Sequence, residues 1–298
     1  EIHALNMAGE KAKGAILYVT LEPCSHFGKT PPCVTRIIKA GIRKVYIAAS
    51  DPNPLVAGKG IDELQRAGIE VDVGLLRDKA IELNKVFFHY IQTGLPYVTL
   101  KTAMSLDGKT ATYTGESQWI SNELSRQEVQ DLRRQHDAIL VGVNTVIQDN
   151  PSLTLRLKDT DKKVIRIILD TNLRTPIEST VIQDNIAPTW MIVGSEVSPT
   201  RIERYEALGV KVLPLQTKRI KIPMLLQLLG QHGICSILVE GGSEVHGSFL
   251  KEHAFNQLRM YIAPKLIGGR TAPSPFGGEG ISDIHAVLNL DVETVDFL

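Results

Sequence analysis

Cysteine is scarce in this sequence, and neither sign of charge is in excess. Three cysteines in 298 residues are too few, and odd in number, for a disulfide scaffold, so we expect a cytoplasmic protein. Lys and Arg together number 33, as do Asp and Glu, so the basic excess that drives nucleic-acid binding is absent. The sequence also lacks an apolar run of about 18 residues and a secretory signal. We therefore expect neither a nucleic-acid partner nor a membrane partner.

The length and composition are typical of a globular protein with two domains. Apolar residues make up 43% and charged residues 22% of the chain, which is enough to bury one or two full cores. The glycine and proline of "QTGLPYV" predict a boundary between a domain at 1–94 and a domain at 95–298. The opening segment "EIHALNMAGEKAKG" reads as the middle of a helix that ends at Gly14, so we expect part of the first domain to precede Glu1.

Strands and helices are expected to alternate in both domains, which predicts sheets covered by helices. Runs rich in β-branched and apolar residues, such as "AILYVTLE", "AILVGVNTV" and "QLRMYIAPKLIGG", predict strands. The pattern over 75–94 predicts one amphipathic helix that ends at Gly94. A second helix over 121–136 could be capped by either Ser121 or Asn122.

Two of the three cysteines lie nine positions apart, each next to proline. Cys24 ends a strand in "EPC", and Cys33 begins a helix after "PPC", where the helix N-terminus favours the thiolate that binds metal. The loop between them could bring both sulfurs to one zinc ion, which needs about four ligands. The zinc deaminase signature has a glutamate followed later by Pro-Cys, and here Glu1 precedes Pro23–Cys24, although eight residues separate the cysteines instead of two. Inert core thiols are the alternative.

A candidate cofactor site lies in "SILVEGGSEVHGSFL", where an apolar strand runs into paired glycines and then a helix. The chain has no Gly-x-Gly-x-x-Gly after a strand, so an ordinary dinucleotide-binding site is not indicated. Backbone amides and a helix N-terminus can nevertheless hold a pyrophosphate at such a turn, although Gly-Gly after a strand is often only a tight turn. Glu240 ends this apolar strand, where burial of a carboxylate without a partner is costly.

Together these motifs resemble a known family. "EIHAL", "YVTLEPCSHFGKTPPC" and "DPNPLVAGKGI" are similar to the deaminase half of the bifunctional deaminase/reductase of riboflavin biosynthesis. "PYVTLKTAMSLDGKTA", "GESQWIS", "ILVGVNTVIQDNPSLT" and "VEGGSEVHGSFL" are similar to its reductase half. The resemblance implies an α/β fold, in which a cytidine-deaminase-like zinc domain precedes a dihydrofolate-reductase-like domain. It also implies zinc-dependent deamination of 2,5-diamino-6-(ribosylamino)-4(3H)-pyrimidinone 5′-phosphate, followed by NADPH-dependent reduction of the ribosyl group to a ribityl chain.

For the deaminase half, the resemblance implies Cys24 and Cys33 as zinc ligands and Glu1 as the catalytic acid/base. The third ligand would be a histidine two residues before Glu1, upstream of this sequence. On a helix His3 points away from Glu1, so it is interpreted as a structural or surface residue. The implied substrate contacts are His26, Lys29, Asp51 and Asn53. Simple turn formation is the alternative for Asp51 and Asn53, and a solvated loop lysine is the alternative for Lys29.

For the reductase half, the resemblance implies Lys101, at a strand end, near the ribose that is reduced. The implied cofactor contacts are Ala103, Trp119, Thr145, Asp149, Thr171, Gly242, Ser243, Glu244, Val245, His246, Gly247 and Ser248. The implied substrate contacts are Ser117, Arg133, Leu153, Arg156 and Glu240. The side chains of His246 and Cys235 are themselves interpreted as structural. Core packing is the alternative for Trp119, and a capped turn is the alternative for Asp149. The 2′-phosphate of NADPH is assigned to Thr171 and Arg174.

Three other functions remain open. A nucleic-acid base deaminase would share Glu1 and the zinc cysteines, but should show a basic face and the short cysteine spacing. A zinc-stabilised binding module would consume no NADPH. A reductase with an inactive deaminase half would lack zinc. We expect a homo-oligomer that acts on a small pyrimidine nucleotide.

Overall fold

The computed structural model describes residues 1–27, 31–53, 56–157 and 160–298. It separates into two compact units, Glu1–Gly94 and Leu95–Leu298. None of the described helices has the length and apolar character needed to cross a membrane.

The first unit is a parallel sheet with helices packed on it. The order of its strands is β1-β2-β3, and its core contains the side chains of Val34, Ile37, Val45, Ile47 and Leu64. In chain order its elements are α1 (Ile2–Ala8), β1 (Ile16–Leu21), α2 (Cys33–Lys39), β2 (Lys44–Ala49), α3 (Lys59–Arg66), β3 (Glu70–Val73), α4 (Arg77–Leu83) and α5 (Lys85–Thr93), with a 3₁₀ helix at Gly9–Ala12.

The second unit is built on a larger sheet whose described strand pairs are all parallel. The strand order is β10-β4-β9-β5-β6-β7-β8. Its elements are β4 (Tyr97–Ser105), α6 (Glu123–Gln135), β5 (Ala138–Gly142), α7 (Val143–Asp149), β6 (Ile165–Leu169), α8 (Thr180–Gln183), β7 (Thr189–Val193), α9 (Pro199–Glu206), β8 (Lys211–Pro214), α10 (Ile222–Gln231), β9 (Ser236–Gly241), α11 (Ser243–Lys251) and β10 (Gln257–Ala263), with a 3₁₀ helix at Ile284–Ala286.

Alternation along the central strands produces two cores, one on each face of this sheet. On β5, Leu140 belongs to one apolar cluster, whereas Ile139 and Val141 belong to the other. A strand buried on both faces reads as a continuous apolar run, which is why "AILVG" contains no polar residue.

Three elements differ from the sequence expectations. The strand expected over "AILVGVNTV" ends at Gly142, and α7 follows, because helical spacing buries Val143 and Val146 together. The single helix expected over 75–94 is interrupted at Asn84, whose side-chain amide donates to the carbonyl of Ala80 at 2.8 Å. The strand expected to continue to 269 stops at Ala263, because the next residue is proline.

The structure also settles the cap of α6. The side chain of Asn122 accepts a hydrogen bond from the backbone N–H of Ser125 at 2.9 Å, so Asn122 rather than Ser121 is the N-cap. The segment "VETVDFL" (292–298) has no regular secondary structure, although its alternating apolar residues are typical of a strand.

Candidate active sites

Cys33 of the first unit interacts with both Cys24 and the carboxylate of Glu1. Cys33 is the first residue of α2, and its backbone N–H donates to the Sγ of Cys24 at 3.4 Å. Burial, followed by the negative charge of Glu1 and hydrogen bonds to Cys24 and Glu1, raises the pKa of Cys33 to about 12. Burial and the neighbouring carboxylate of Glu1 thus oppose the effect of the helix N-terminus on Cys33.

Cys24 and Cys33 fit zinc as two of the ligands that the metal needs. Cysteine sulfur is a preferred zinc donor, and three or four protein ligands complete a zinc site. The described residues contain no group of three or more His, Cys, Asp or Glu side chains placed to hold a metal, so a further ligand is not among them. His3 is exposed on α1, as expected of a surface residue.

The loop that follows β2 contains the predicted pyrimidine contacts. Asp51 is buried, and its Oδ1 accepts a hydrogen bond from the backbone N–H of Asn53 at 2.8 Å. Burial has the largest influence on the pKa of Asp51 and raises it. The backbone amide of Asn53 and the charge of His26 lower this pKa, whereas the charge of Glu22 raises it further. The buried Nδ1 of His26 has no hydrogen-bond partner in the described residues, so it is a polar atom that a ligand could satisfy. Lys29 lies outside the described residues.

In the second unit, a cavity of about 700 Å³ opens where β4, β5 and β9 approach their carboxyl ends. Ligands of open parallel sheets bind at this edge. The sequence-predicted residues that line the cavity are Lys101, Ala103, Ser117, Trp119, Thr145, Asp149, Glu240, Gly242, Ser243, Glu244, Val245 and His246. Those that do not line it are Arg133, Leu153, Arg156, Thr171, Arg174, Gly247 and Ser248.

Lys101 lies in the middle of β4 rather than at a strand end, which corrects the expectation. The pairing between β4 and β9 stops at Leu100 and Val239, so Lys101 is the first residue of β4 past the shared ladder and faces the cavity. Burial lowers the pKa of Lys101; the carboxylate of Glu240 opposes this shift, and the charge of Arg133 adds to it.

Glu240 has the partner that its burial requires. Nε and Nη2 of Arg133 donate to its two carboxylate oxygens at 2.6 and 2.9 Å, and Nη1 donates to the carbonyl of Thr154 at 2.9 Å. Burial raises the pKa of Glu240, but the charge and hydrogen bonds of Arg133 outweigh it and hold this pKa below its usual value. The guanidinium of Arg133 is thus engaged by Glu240 instead of being free to grip a phosphate.

The paired glycines Gly241 and Gly242 line the cavity, and α11 starts directly after them. A Cβ on Gly142 would lie 2.8 Å from the Cγ2 of Val245, so glycine permits α11 to approach β5 closely. The first turn of α11 lines the cavity, which fits the pyrophosphate of a dinucleotide. Gly247 packs against another part of the chain, since its Cβ would lie 2.1 Å from the carbonyl oxygen of Gly277.

Several other predicted residues have surroundings that differ from the expectation. Leu153 is 4% exposed within a hydrophobic cluster and has a φ of 49°. Arg156 is exposed, and its backbone N–H donates to Gln130 at 2.9 Å. Arg174 donates to the Oδ1 of Asn144 at 2.9 Å. Trp119 is 60% exposed at the cavity, which is incompatible with core packing.

Sequence reasoning missed two residues that shape these sites. Arg126 lines the cavity, and its guanidinium lies 4.6 Å from the centre of the Trp119 ring. Its spacing of seven from Arg133 places both arginines on one face of α6 and could have identified it. Glu22 is a buried carboxylate next to Pro23–Cys24, and no sequence pattern indicates its backbone partners.

Comparison with known proteins agrees with this division of chemistry. The family model of the cytidine and deoxycytidylate deaminase zinc-binding region matches residues 1–49, and that of the RibD C-terminal domain matches residues 96–296. The chain is 56% identical over 290 residues to a riboflavin biosynthesis protein RibD of Bacillus amyloliquefaciens, covering 97% of this chain and 78% of the relative. It is 47% identical over 295 residues to RibD of Aquifex aeolicus, covering 99% and 82%.

Solved structures are similar over the same length. RibD of Acinetobacter baumannii superposes with a TM-score of 0.85 at 39% identity, covering 97% of this chain and 80% of that one. The Thermotoga maritima protein described as a diaminohydroxyphosphoribosylaminopyrimidine deaminase/5-amino-6-(5-phosphoribosylamino)uracil reductase superposes with a TM-score of 0.86 at 35% identity, covering 99% and 80%. The expected α/β fold, with a deaminase-like zinc domain before a reductase domain, is confirmed. The chain therefore belongs to the RibD family of riboflavin biosynthesis enzymes.

Proposed function

We propose that 1–94 deaminates 2,5-diamino-6-(ribosylamino)-4(3H)-pyrimidinone 5′-phosphate and that 95–298 then reduces the ribosyl group with NADPH. The observation that carries this proposal is the convergence of Cys24, Cys33 and Glu1 in a chain that also holds a lysine-containing cavity. The partner is a small pyrimidine nucleotide, in a homo-oligomeric, cytoplasmic enzyme.

In deamination, Cys24 and Cys33 would hold zinc, which supplies Lewis acidity that activates water near neutral pH. Glu1 takes a proton from water and delivers it to the pyrimidine ring nitrogen, and it then transfers a second proton, from the hydroxyl group added to the ring, to the departing amine. His26 and Asp51 orient the pyrimidine, because both present buried polar atoms on the same unit as the cysteines.

In reduction, NADPH would supply hydride chemistry at C1′ of the opened ribosylamine. Ser243 and the rest of the first turn of α11 would hold its pyrophosphate through backbone amides. Lys101 positions the ribose, and its lowered pKa suits it to exchange a proton closer to neutral pH than a solvated lysine does.

The deaminase assignment is tested by replacing each cysteine and measuring zinc, ammonia release and NADPH oxidation in the full-length protein. We expect Cys24→Ser and Cys33→Ser to lose zinc and ammonia release, while NADPH oxidation continues when the deaminated substrate is supplied. Cys235→Ser is the matched control and should retain all three. Zinc and full ammonia release in Cys24→Ser would contradict the proposal, and so would turnover of RNA in place of the nucleotide.

The reductase assignment is tested with Lys101→Met. Loss of the positioned ammonium should slow NADPH oxidation about 10²-fold or more, and ammonia release should be unchanged. Wild-type protein that releases ammonia but oxidises no NADPH would refute the reductase half.

A further inference from the structure

Glu22 is a buried carboxylate whose partners are backbone amides. Its side chain is 3% exposed. Its Oε2 accepts hydrogen bonds from the N–H groups of Asp51 and Gly58, both at 3.1 Å, and its Oε1 accepts from those of Gly60 and Ile61 at 3.0 and 3.3 Å. Charge-assisted bonds of this kind are stronger than neutral ones, so these four amides stabilise the carboxylate of Glu22.

This carboxylate joins two segments that carry the candidate deaminase residues. Glu22 directly follows β1 and stands two residues before Cys24, and its own N–H donates to the carbonyl of Ala49 at the end of β2 at 2.9 Å. The second segment also touches the first through backbone, because a Cβ on Gly60 would lie 2.1 Å from the carbonyl oxygen of Pro23. The chain beside the cysteine and the start of α3 are thereby held at contact distance.

The pyrimidine-binding candidates depend on the same bonds. Glu22 holds the N–H of Asp51, and the side chain of Asp51 in turn holds the N–H of Asn53 at 2.8 Å. We propose that Glu22 is a positioning residue for deamination, which fixes Asp51 and Asn53 relative to Cys24 so that the pyrimidine ring is presented to the metal site. This inference rests on the proposed deaminase function of 1–94.

The variant Glu22→Gln tests this role in the full-length protein. Glutamine keeps the shape but turns one acceptor oxygen into an NH₂ group that faces two N–H donors. We expect the KM for the pyrimidine nucleotide to rise about tenfold or more, with a smaller change in kcat, and with zinc content and NADPH oxidation unchanged. Hydrogen exchange at the amides of Gly58 and Gly60 should accelerate. Glu10→Gln, an exposed position on the same unit, is the matched control.

An unchanged KM overturns the proposal. So does a fall in kcat and zinc content at constant KM, which would make Glu22 a purely structural residue. Glu22→Asp keeps the charge but shortens the reach, and a smaller rise in KM than that of Glu22→Gln supports positioning. If wild-type protein releases no ammonia, the proposed function itself fails. The positioning role is then tested by the affinity for the nucleotide, measured by calorimetry. Equal affinity of Glu22→Gln and wild type refutes it.

Discussion

Each unit buries a glutamate at the end of a strand that leads into a candidate functional turn, and the two carboxylates are stabilised differently. Glu240 is the penultimate residue of β9, next to the paired glycines, and is bound by the guanidinium of Arg133. Glu22 follows β1 before Pro23–Cys24 and is bound by four backbone N–H groups. A side-chain partner fixes one other element, whereas backbone partners fix the path of a whole loop. The first unit thus uses its buried charge to shape a loop, and the second uses its charge to join α6 to the sheet.

The largest effect is expected where the partner of Glu240 is removed. Arg133→Met leaves Glu240 as an uncompensated buried charge and should lower the free energy of unfolding by about 3–5 kcal/mol, measured by urea denaturation. Arg134→Gln is the matched control: Arg134 pairs with Asp131 on the surface, so its loss should change stability by less than about 1 kcal/mol. The double variant Arg133→Met with Glu240→Gln should recover part of the lost free energy of unfolding. A double variant no more stable than Arg133→Met would show that the unpaired charge of Glu240 does not cause the loss.

The backbone partners of Glu22 are expected to tolerate little added volume. Gly60→Ala places a Cβ against the carbonyl oxygen of Pro23 and 3.2 Å from Glu22, so α3 must move away. We expect the free energy of unfolding of the first unit to fall by about 1–3 kcal/mol. This change is measured from the unfolding transition of that unit, monitored by circular dichroism. Gln65→Ala, at an exposed position of the same helix, should have little effect. Equal stability of the two variants would mean that the close contact of α3 with Pro23 is dispensable.

The cations of the second unit sharpen the same contrast. Arg133 is neutralised by Glu240, whereas Arg126 makes no ion pair in the described part of the chain and stacks on Trp119 beside the cavity. Arg126→Gln removes this charge, so the KM for a phosphorylated ligand should rise about threefold to tenfold with stability nearly unchanged. Separate KM values for NADPH and for the nucleotide identify which phosphate is bound, and no change in either refutes a binding role.

The sequence predicts the alternation of strands and helices because burial on both faces leaves continuous apolar runs such as "AILVG". It also predicts that Glu240 needs a partner, yet it does not identify Arg133 as that partner, since the two are 107 positions apart. The partners of Glu22 are harder to foresee, because every residue except proline has a backbone N–H and only the fold decides which of these groups contact the carboxylate. Val143 and Val146 show the converse, since β-branched residues indicated a strand and tertiary packing made a helix.

The smallest effect is expected at Asp107, the exposed counterpart of Glu22 in the second unit. Its carboxylate accepts from the hydroxyl of Ser105 and from the backbone N–H groups of Gly268 and Ile267, and these bonds lower its pKa to about 2. Because the folded pKa lies below the unfolded value of about 3.9, the stabilisation is complete above that value and is lost as pH falls towards the folded pKa. Asp107→Asn should therefore unfold at lower urea concentration than wild type at neutral pH, and the difference should shrink in acid. Asp291→Asn, at an exposed position, should unfold at the same urea concentration as wild type at every pH. If the difference between Asp107→Asn and wild type persists in acid, the charge of Asp107 is not what stabilises its bonds to the amides.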